Sequence, residues 1–204
     1  MNTICNVFDG LFDTLYLYEF FYNVMQPLPI NFTNIANRST SPYGFKGSHC
    51  LLGTTIFNRK SINDIGDFDE KYFHKFYEMF DIITNKLNMD FYLSAITTNT
   101  QPYGIDGTTH MDAGEDEDDE YTILVMTNPE WKKEWGGQFQ LIDPSTAGKS
   151  NRVIEEHEYV PGRVVIVPSN HPHRGLAPTE KYIYRTSVVF RVSPNFEKYI
   201  PYRA

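Results

Sequence analysis

Residues 121–143 read YTILVMTNPEWKKEWGGQFQLID, and residues 160–178 read VPGRVVIVPSNHPHRGLAP. Each contains a run of β-branched and aliphatic residues broken by Asn, Pro or Gly, the texture of short strands between turns. Runs of the same kind lie on either side, FYLSAITT at 91–98 and YIYRTSVVFRV at 182–192. Within the quoted stretches, GQFQLI and RVVIV complete the set. The loops between these runs are too short for crossover helices, so the strands pair antiparallel in a sandwich or barrel.

The chain ahead of this region reads differently. Phe73, Phe76, Phe80, Ile83 and Leu87 recur at steps of three and four, and Asp67 with Glu70 forms a D-x-x-E capping pair before them. The spacing predicts an amphipathic helix over roughly residues 68–88. A second helical stretch is expected over 13–25, where Leu15, Phe20, Phe21 and Val24 stand among tyrosines. The expected fold is therefore mainly β with flanking helices. One domain is expected over 1–204, with a helix-rich part at 1–90 and a barrel core at 90–192.

Composition narrows the function. The chain has 204 residues, 41% of them hydrophobic and 15% aromatic, enough to bury a core without disulfides. A net charge of −8 argues against a surface built for phosphates, so no nucleic-acid partner is expected. Cys5 and Cys50 form no CxxC pair, which points away from zinc or redox work and suits a reducing cytoplasm. The first 25 residues lack a basic start and carry Asp9, Asp13 and Glu19, against a signal peptide or membrane span. A cytoplasmic protein with no membrane partner is the expectation.

The chemistry concentrates in the second half. His110-Met111-Asp112 is an HxD step, which sends both side chains to one face of an extended segment where they can grip one metal. Six His and thirteen Asp supply about 0.4 such steps by chance, so the step alone is weak. By itself it would read as a surface pair in the polar turn around Gly104 and Thr109. Downstream, His171 and His173 follow VVIV, and Arg185 stands among apolar neighbours where a guanidinium needs an anionic partner. Two His, one carboxylate and a fixed cation match a non-haem Fe(II) centre with open coordination positions. A structural zinc site would be closed by four ligands, usually with thiolates, and no cysteine lies near these residues in sequence. A zinc hydrolase would need a base beside the metal; Glu115 is a candidate, but no HExxH spacing supports it.

The three segments 121–143, 160–178 and 184–192 resemble the 2-oxoglutarate and Fe(II)-dependent dioxygenases of the prolyl 4-hydroxylase type, over about half the chain. The resemblance implies a double-stranded β-helix, or jelly-roll barrel. It implies His110, Asp112 and His173 as iron ligands, with His173-Arg174 fitting the family pattern better than His171-Pro172. It implies Arg185 as the clamp on the far carboxylate of 2-oxoglutarate, with Thr122, Leu124 and Met126 on the strand facing that cosubstrate. Met126 replaces a tyrosine common in the family, so Tyr103 or Thr100 is the expected substitute donor. The activity implied is hydroxylation with formation of succinate and carbon dioxide, and ascorbate is a candidate reductant. Asp112 favours hydroxylation, because related halogenating enzymes lack this carboxylate. A peptidyl proline, another protein side chain and a free small molecule are all open as substrates. A catalytically inactive barrel serving as a binding module is the rival reading.

Other features read as ordinary. Trp131 and Trp135 are expected to pack, Gly136-Gly137 to form a turn or bulge entering a strand, and His49, His74 and His157 to hold no ligand. The acidic run at 115–120, EDEDDE, is rooted beside Asp112 and is expected either as a solvated loop or as a device that attracts cationic substrates.

Overall fold

The computed structural model describes residues 4–34, 51–58, 70–114 and 118–194. In chain order the elements are β1 (Asn6–Phe8), α1 (Thr14–Phe20) with a π-helical turn (Phe21–Met25), β2 (Asn31–Asn34), β3 (Leu51–Asn58) and α2 (Glu70–Leu87). Then come β4 (Tyr92–Pro102), β5 (Tyr121–Met126), β6 (Phe139–Ile142), β7 (Val153–His157), β8 (Val164–Pro168), β9 (His173–Gly175) and β10 (Tyr184–Ser193). A seven-stranded sheet has the order β1-β8-β5-β10-β4-β3-β2, and a three-stranded sheet has the order β7-β6-β9. Every pairing between these strands is antiparallel. The architecture is the expected jelly roll.

The central strands are apolar on both faces because both faces are covered. Ile123 and Val125 of β5, Val164 and Ile166 of β8, and Val188 and Phe190 of β10 join one core with Phe20, Phe76, Phe80 and Ile83 of the helices. The alternate residues Leu124, Met126, Val165, Val167 and Val189 join a second core with Phe139 and Leu141 of the small sheet. The two-residue period of a strand assigns each side chain to one core or the other. One core fixes the helices outside; the other fills the barrel.

α2 begins at Glu70 and carries the Phe stripe inward, with Phe76 and Ile83 fully buried. Asp67 lies outside the described residues. α1 starts where Asp13 caps it, its carboxylate accepting from the Tyr16 amide at 2.7 Å. Both α-helices lie within 1–90. That part also supplies β1, β2 and β3 to the large sheet, with β1 on the edge beside β8 and β3 beside β4. Strand β3, LLGTTIFN, has an alternation interrupted by Gly53, and β1 is only three residues long, so neither announces itself by period. No helix among the described residues is long and apolar enough to cross a membrane.

Candidate active site

The small sheet brings the histidines together. The backbones of His110 and His173 form an isolated antiparallel bridge, with amide to carbonyl distances of 3.0 and 2.9 Å. This lays the HxD segment alongside β9. Asp112 is then held by its own amide, which donates to the Ser169 carbonyl at 2.8 Å at the end of β8. As a result His110 Nε2 lies 3.5 Å from Asp112 Oδ1, and His173 Nε2 lies 3.4 Å from Asp112 Oδ2.

Both imidazoles are oriented for metal binding. Nδ1 of His110 sits 2.8 Å from the Thr108 carbonyl, and Nδ1 of His173 sits 2.8 Å from the His171 carbonyl. A carbonyl can only accept, so each Nδ1 carries a proton and each Nε2, on the Asp112 side, is the atom that would offer its lone pair to a metal; without metal, His110 Nε2 bonds to Asp112 as a protonated donor. Phe139 stands against the His173 ring at 5.3 Å between centroids. Thr122 donates to Asp112 Oδ2 at 2.7 Å, and its oxygen is 2.9 Å from Ser169 Oγ. The structure therefore places Thr122 on the carboxylate and fixes that side chain.

The electrostatics agree with the geometry. Burial disfavours the charged form of Asp112, but the two neighbouring imidazoles more than offset it and hold the carboxyl well below its usual range. For His110 burial works downward, and the hydrogen bond and charge of Asp112 outweigh it, so the pKa is raised. His171 lies outside the triad. Its Nε2 is buried without a hydrogen-bond partner, and burial followed by the charge of His173 pulls its pKa down.

Arg185 is 2% exposed in β10, directly opposite Gln101 of β4. Its Nε donates to the Gly137 carbonyl at 2.9 Å and its Nη1 to Gln101 Oε1 at 2.7 Å. Gln101 in turn donates to the Gly175 carbonyl at 3.0 Å. The Tyr159 ring lies 5.3 Å from the guanidinium carbon. Among the described residues no carboxylate pairs with this cation, and Nη2 is buried with no partner. A structural ion pair between Arg185 and a buried protein carboxylate is thus not found among the described residues.

The expectation that Gly136-Gly137 enters a strand holds, with φ of 70° and 81° just ahead of β6. Its role is larger than a turn. A Cβ at Gly137 would lie 2.9 Å from the Trp131 ring and 3.4 Å from Arg185 Cδ, so the bare backbone is what lets the guanidinium reach that carbonyl. At Gly175 a Cβ would lie 3.1 Å from Arg185 Nη1. Trp131 donates to the Gly136 carbonyl at 2.9 Å and packs against Tyr159 with ring centroids 4.3 Å apart and planes tilted by 39°. The two tryptophans pack as expected, and Trp131 also braces the guanidinium's surroundings.

Of the remaining expected cosubstrate residues, Leu124 and Met126 are buried in the barrel core, and Met126 Sδ accepts from the Val160 amide at 3.2 Å. Thr100 is buried on β4, while Tyr103 stands 48% exposed in the turn after it. Tyr159, Gln101 and Gly175 were not anticipated. Of these, only Gly175 carried a visible signal, its place directly after His173-Arg174. Burial pushes the Tyr159 hydroxyl up to about 12, and it stays protonated beside Asn128 and the Thr186 carbonyl.

The acidic run is not one solvated block. Residues 115–117 lie outside the described part, and Glu120 is fully buried with its carboxylate 2.5 Å from Arg191. Asp118 accepts from the Asn170 side chain at 2.9 Å.

A jelly roll that gathers two imidazoles and a carboxylate beside its small sheet fits the fold and site of a non-haem metal oxygenase. The donor set suits Fe(II), and the orphaned Nη2 of Arg185 in its glycine cradle suits an anionic cosubstrate carboxylate. Residues 98–191 match the sequence model described as the 2OG-Fe(II) oxygenase superfamily. That match spans 94 of the 204 residues, and together with the fold and the site it supports a 2-oxoglutarate-dependent dioxygenase, a class that uses Fe(II) and 2-oxoglutarate.

Solved structures share the fold. A prolyl-4-hydroxylase from Pseudomonas putida superposes with a TM-score of 0.57 at 14% identity, covering 94% of this chain and 93% of that one. A prolyl hydroxylase from Trichoplax adhaerens, solved with a hypoxia inducible factor oxygen degradation domain peptide, gives 0.63 at 15% identity over 96% and 84%. HygX from Streptomyces hygroscopicus, solved with nickel and 2-oxoglutarate, gives 0.61 at 11% identity over 95% and 84%. No curated protein matches the chain.

Proposed function

We propose that this oxygenase hydroxylates a peptide or small-molecule substrate, with His110, Asp112 and His173 holding the iron and Arg185 holding the 5-carboxylate of 2-oxoglutarate. The observation that carries the reading is the pairing of the triad with a buried guanidinium whose Nη2 has no protein partner. Iron and 2-oxoglutarate, when bound, supply the oxidation, consuming oxygen and yielding succinate and carbon dioxide.

The chain's own residues position and protect that chemistry. Thr108 and His171 carbonyls fix the imidazole tautomers, and Thr122 fixes the Asp112 rotamer. Gly137, Gln101 and Tyr159 set the plane of Arg185, leaving Nη2 for the cosubstrate. Leu124, Met126 and Val189 line the barrel with apolar surface and exclude water.

A peptidyl substrate, with proline among the candidate targets, draws support from the prolyl hydroxylase likenesses. Cationic character in the substrate draws support from the net charge of −8 and from Asp118 and Asp119 near the Asp112 end of the barrel, whereas Glu120 is paired with Arg191. Anaerobic titration of metal-free protein with Fe(II) and then 2-oxoglutarate tests the reading. A visible metal-to-ligand charge-transfer band should appear in the parent and vanish in His173→Ala. A band that survives His173→Ala would remove that ligand from the assignment.

A further inference from the structure

Strand β7 wears its pattern inside out. Ile154 is 40% exposed on the outer face, whereas Glu155 and His157, two residues apart, both turn inward. Across the small sheet Glu155 is level with Leu141 and His173, and His157 is level with Phe139 and Gly175. Directly opposed residues of an antiparallel pair share a face, so Glu155 and His157 look into the same barrel as His173, from the far edge. Ionisable groups facing a core while an isoleucine faces water break the local patterning rule, and such breaks concentrate at functional positions.

Cys5 meets them there. It is 4% exposed, just ahead of β1 at the edge of the large sheet. Its Sγ is 3.3 Å from Glu155 Oε1 and 3.0 Å from His157 Nε2, and those two atoms are 3.2 Å from each other. The second carboxylate oxygen accepts from the Ile4 amide at 3.3 Å. Three different ligand types thus converge from chain positions 150 residues apart. The side chains of His157 and Glu155 keep 15% and 20% of their exposure, which leaves an approach for a fourth ligand.

We propose that Cys5, Glu155 and His157 form a second metal site, separate from the oxygenase triad, that takes a zinc-class divalent ion with water as the fourth ligand. Thiolate plus imidazole is a soft to borderline donor set that selects zinc over the hard cations, whereas the triad offers only nitrogen and oxygen. Bonds of about 2.3 Å to sulfur and 2.0–2.1 Å to nitrogen and oxygen put tetrahedral ligand atoms roughly 3.3–3.6 Å apart. The observed triangle, with edges of 3.0–3.3 Å, needs to open by about 0.2–0.5 Å. On binding, the thiol gives its proton to solvent and the sulfur takes the metal. Without metal, burial first and then the Glu155 carboxylate push that thiol up to about 12, so the free site holds a thiol. The ion would clip the edge of the large sheet to the edge of the small one and close a very long loop, the case in which a cross-link constrains the unfolded chain most. Leu141 and Phe139 lie between this clip and His173.

Cobalt(II) is the probe, because sulfur-to-cobalt charge transfer gives a near-ultraviolet band that the nitrogen and oxygen triad cannot produce. In the 204-residue chain the band should titrate to one equivalent and be displaced by zinc. It should persist in His110→Ala and Cys50→Ser and disappear in Cys5→Ser and in His157→Ala. Zinc should raise the thermal midpoint of His110→Ala by a few degrees and leave that of Cys5→Ser unmoved. Absence of the band in the parent, or its survival in Cys5→Ser, would overturn the proposal and leave a hydrogen-bonded cluster only. Should Cys5→Ser not fold, the contrast between Cys50→Ser and His157→Ala decides the same point.

Discussion

Replacing Arg185 by lysine keeps the positive charge and removes the fork. The guanidinium makes two hydrogen bonds to the protein, to Gly137 and Gln101, and leaves Nη2 for the cosubstrate. A single ammonium on a shorter stem cannot serve all three directions. A charge-assisted hydrogen bond lost on the cosubstrate side is worth about 1.5–3 kcal/mol, and 1.4 kcal/mol is tenfold, so the half-saturating 2-oxoglutarate concentration should rise roughly 10- to 100-fold. The Gly137 carbonyl and Gln101 Oε1 are also left without their buried donor, at about 1–3 kcal/mol each, so the fold should weaken as well. Succinate release measured against 2-oxoglutarate concentration reads the first effect and urea unfolding reads the second. Fe(II) affinity should stay within a few-fold of the parent, since Arg185 touches none of the triad side chains in the structure. An unchanged 2-oxoglutarate requirement in a folded Arg185→Lys protein would refute the clamp.

Further outcomes follow from the same contacts. His110→Ala, Asp112→Ala and His173→Ala should each abolish succinate formation, and His171→Ala should retain much of it; the reverse pattern for the last pair would reassign the ligand. Thr122→Val keeps the shape but removes the donor to Asp112, and Fe(II) affinity by titration should fall about 10- to 100-fold. In metal-free protein His110 is raised above its ordinary 6.5, so its contribution to stability is present below that pH and is lost as pH rises through the folded value. Asp112 has the opposite sign, contributing above 3.8 and losing its contribution only in strong acid. Denaturant unfolding of the metal-free chain across this range should show the loss above 6.5, and His110→Ala should flatten it. Glu120→Gln leaves Arg191 without its buried counter-charge and should cost about 3–5 kcal/mol by urea unfolding, while leaving the salt dependence of a cationic substrate unchanged.

What the sequence disclosed depended on whether the signal was local. Strands β5, β8 and β10 are buried on both faces, so their β-branched runs stand out in the bare sequence. The HxD step and the arginine within β10 are also local patterns. Strand β7, VIEEH, is polar and half exposed, and β9 is three residues of HRG, so neither has a run to detect. Gln101 is an unremarkable glutamine until the register of β4 against β10 sets it opposite Arg185. The motif WGG was visible, but its use was not, because the partner of the Gly137 carbonyl lies 48 residues further along.

The same distinction separates the two ligand clusters. His110 and Asp112 are joined by one intervening residue, a local spacing that the sequence itself displays. Cys5 has no metal-ligand spacing on its own side of the chain, and His157 in IEEHEY reads as an ordinary polar residue. Their meeting depends on β1 pairing with β8 while β7 pairs with β6, so that the edges of two sheets face each other. Only the topology carries that information. If the cobalt band appears and follows Cys5, one barrel holds a nitrogen and oxygen site for the oxidant and a thiolate site for closure. Donor type would then sort the two metals without any difference in fold between the sites.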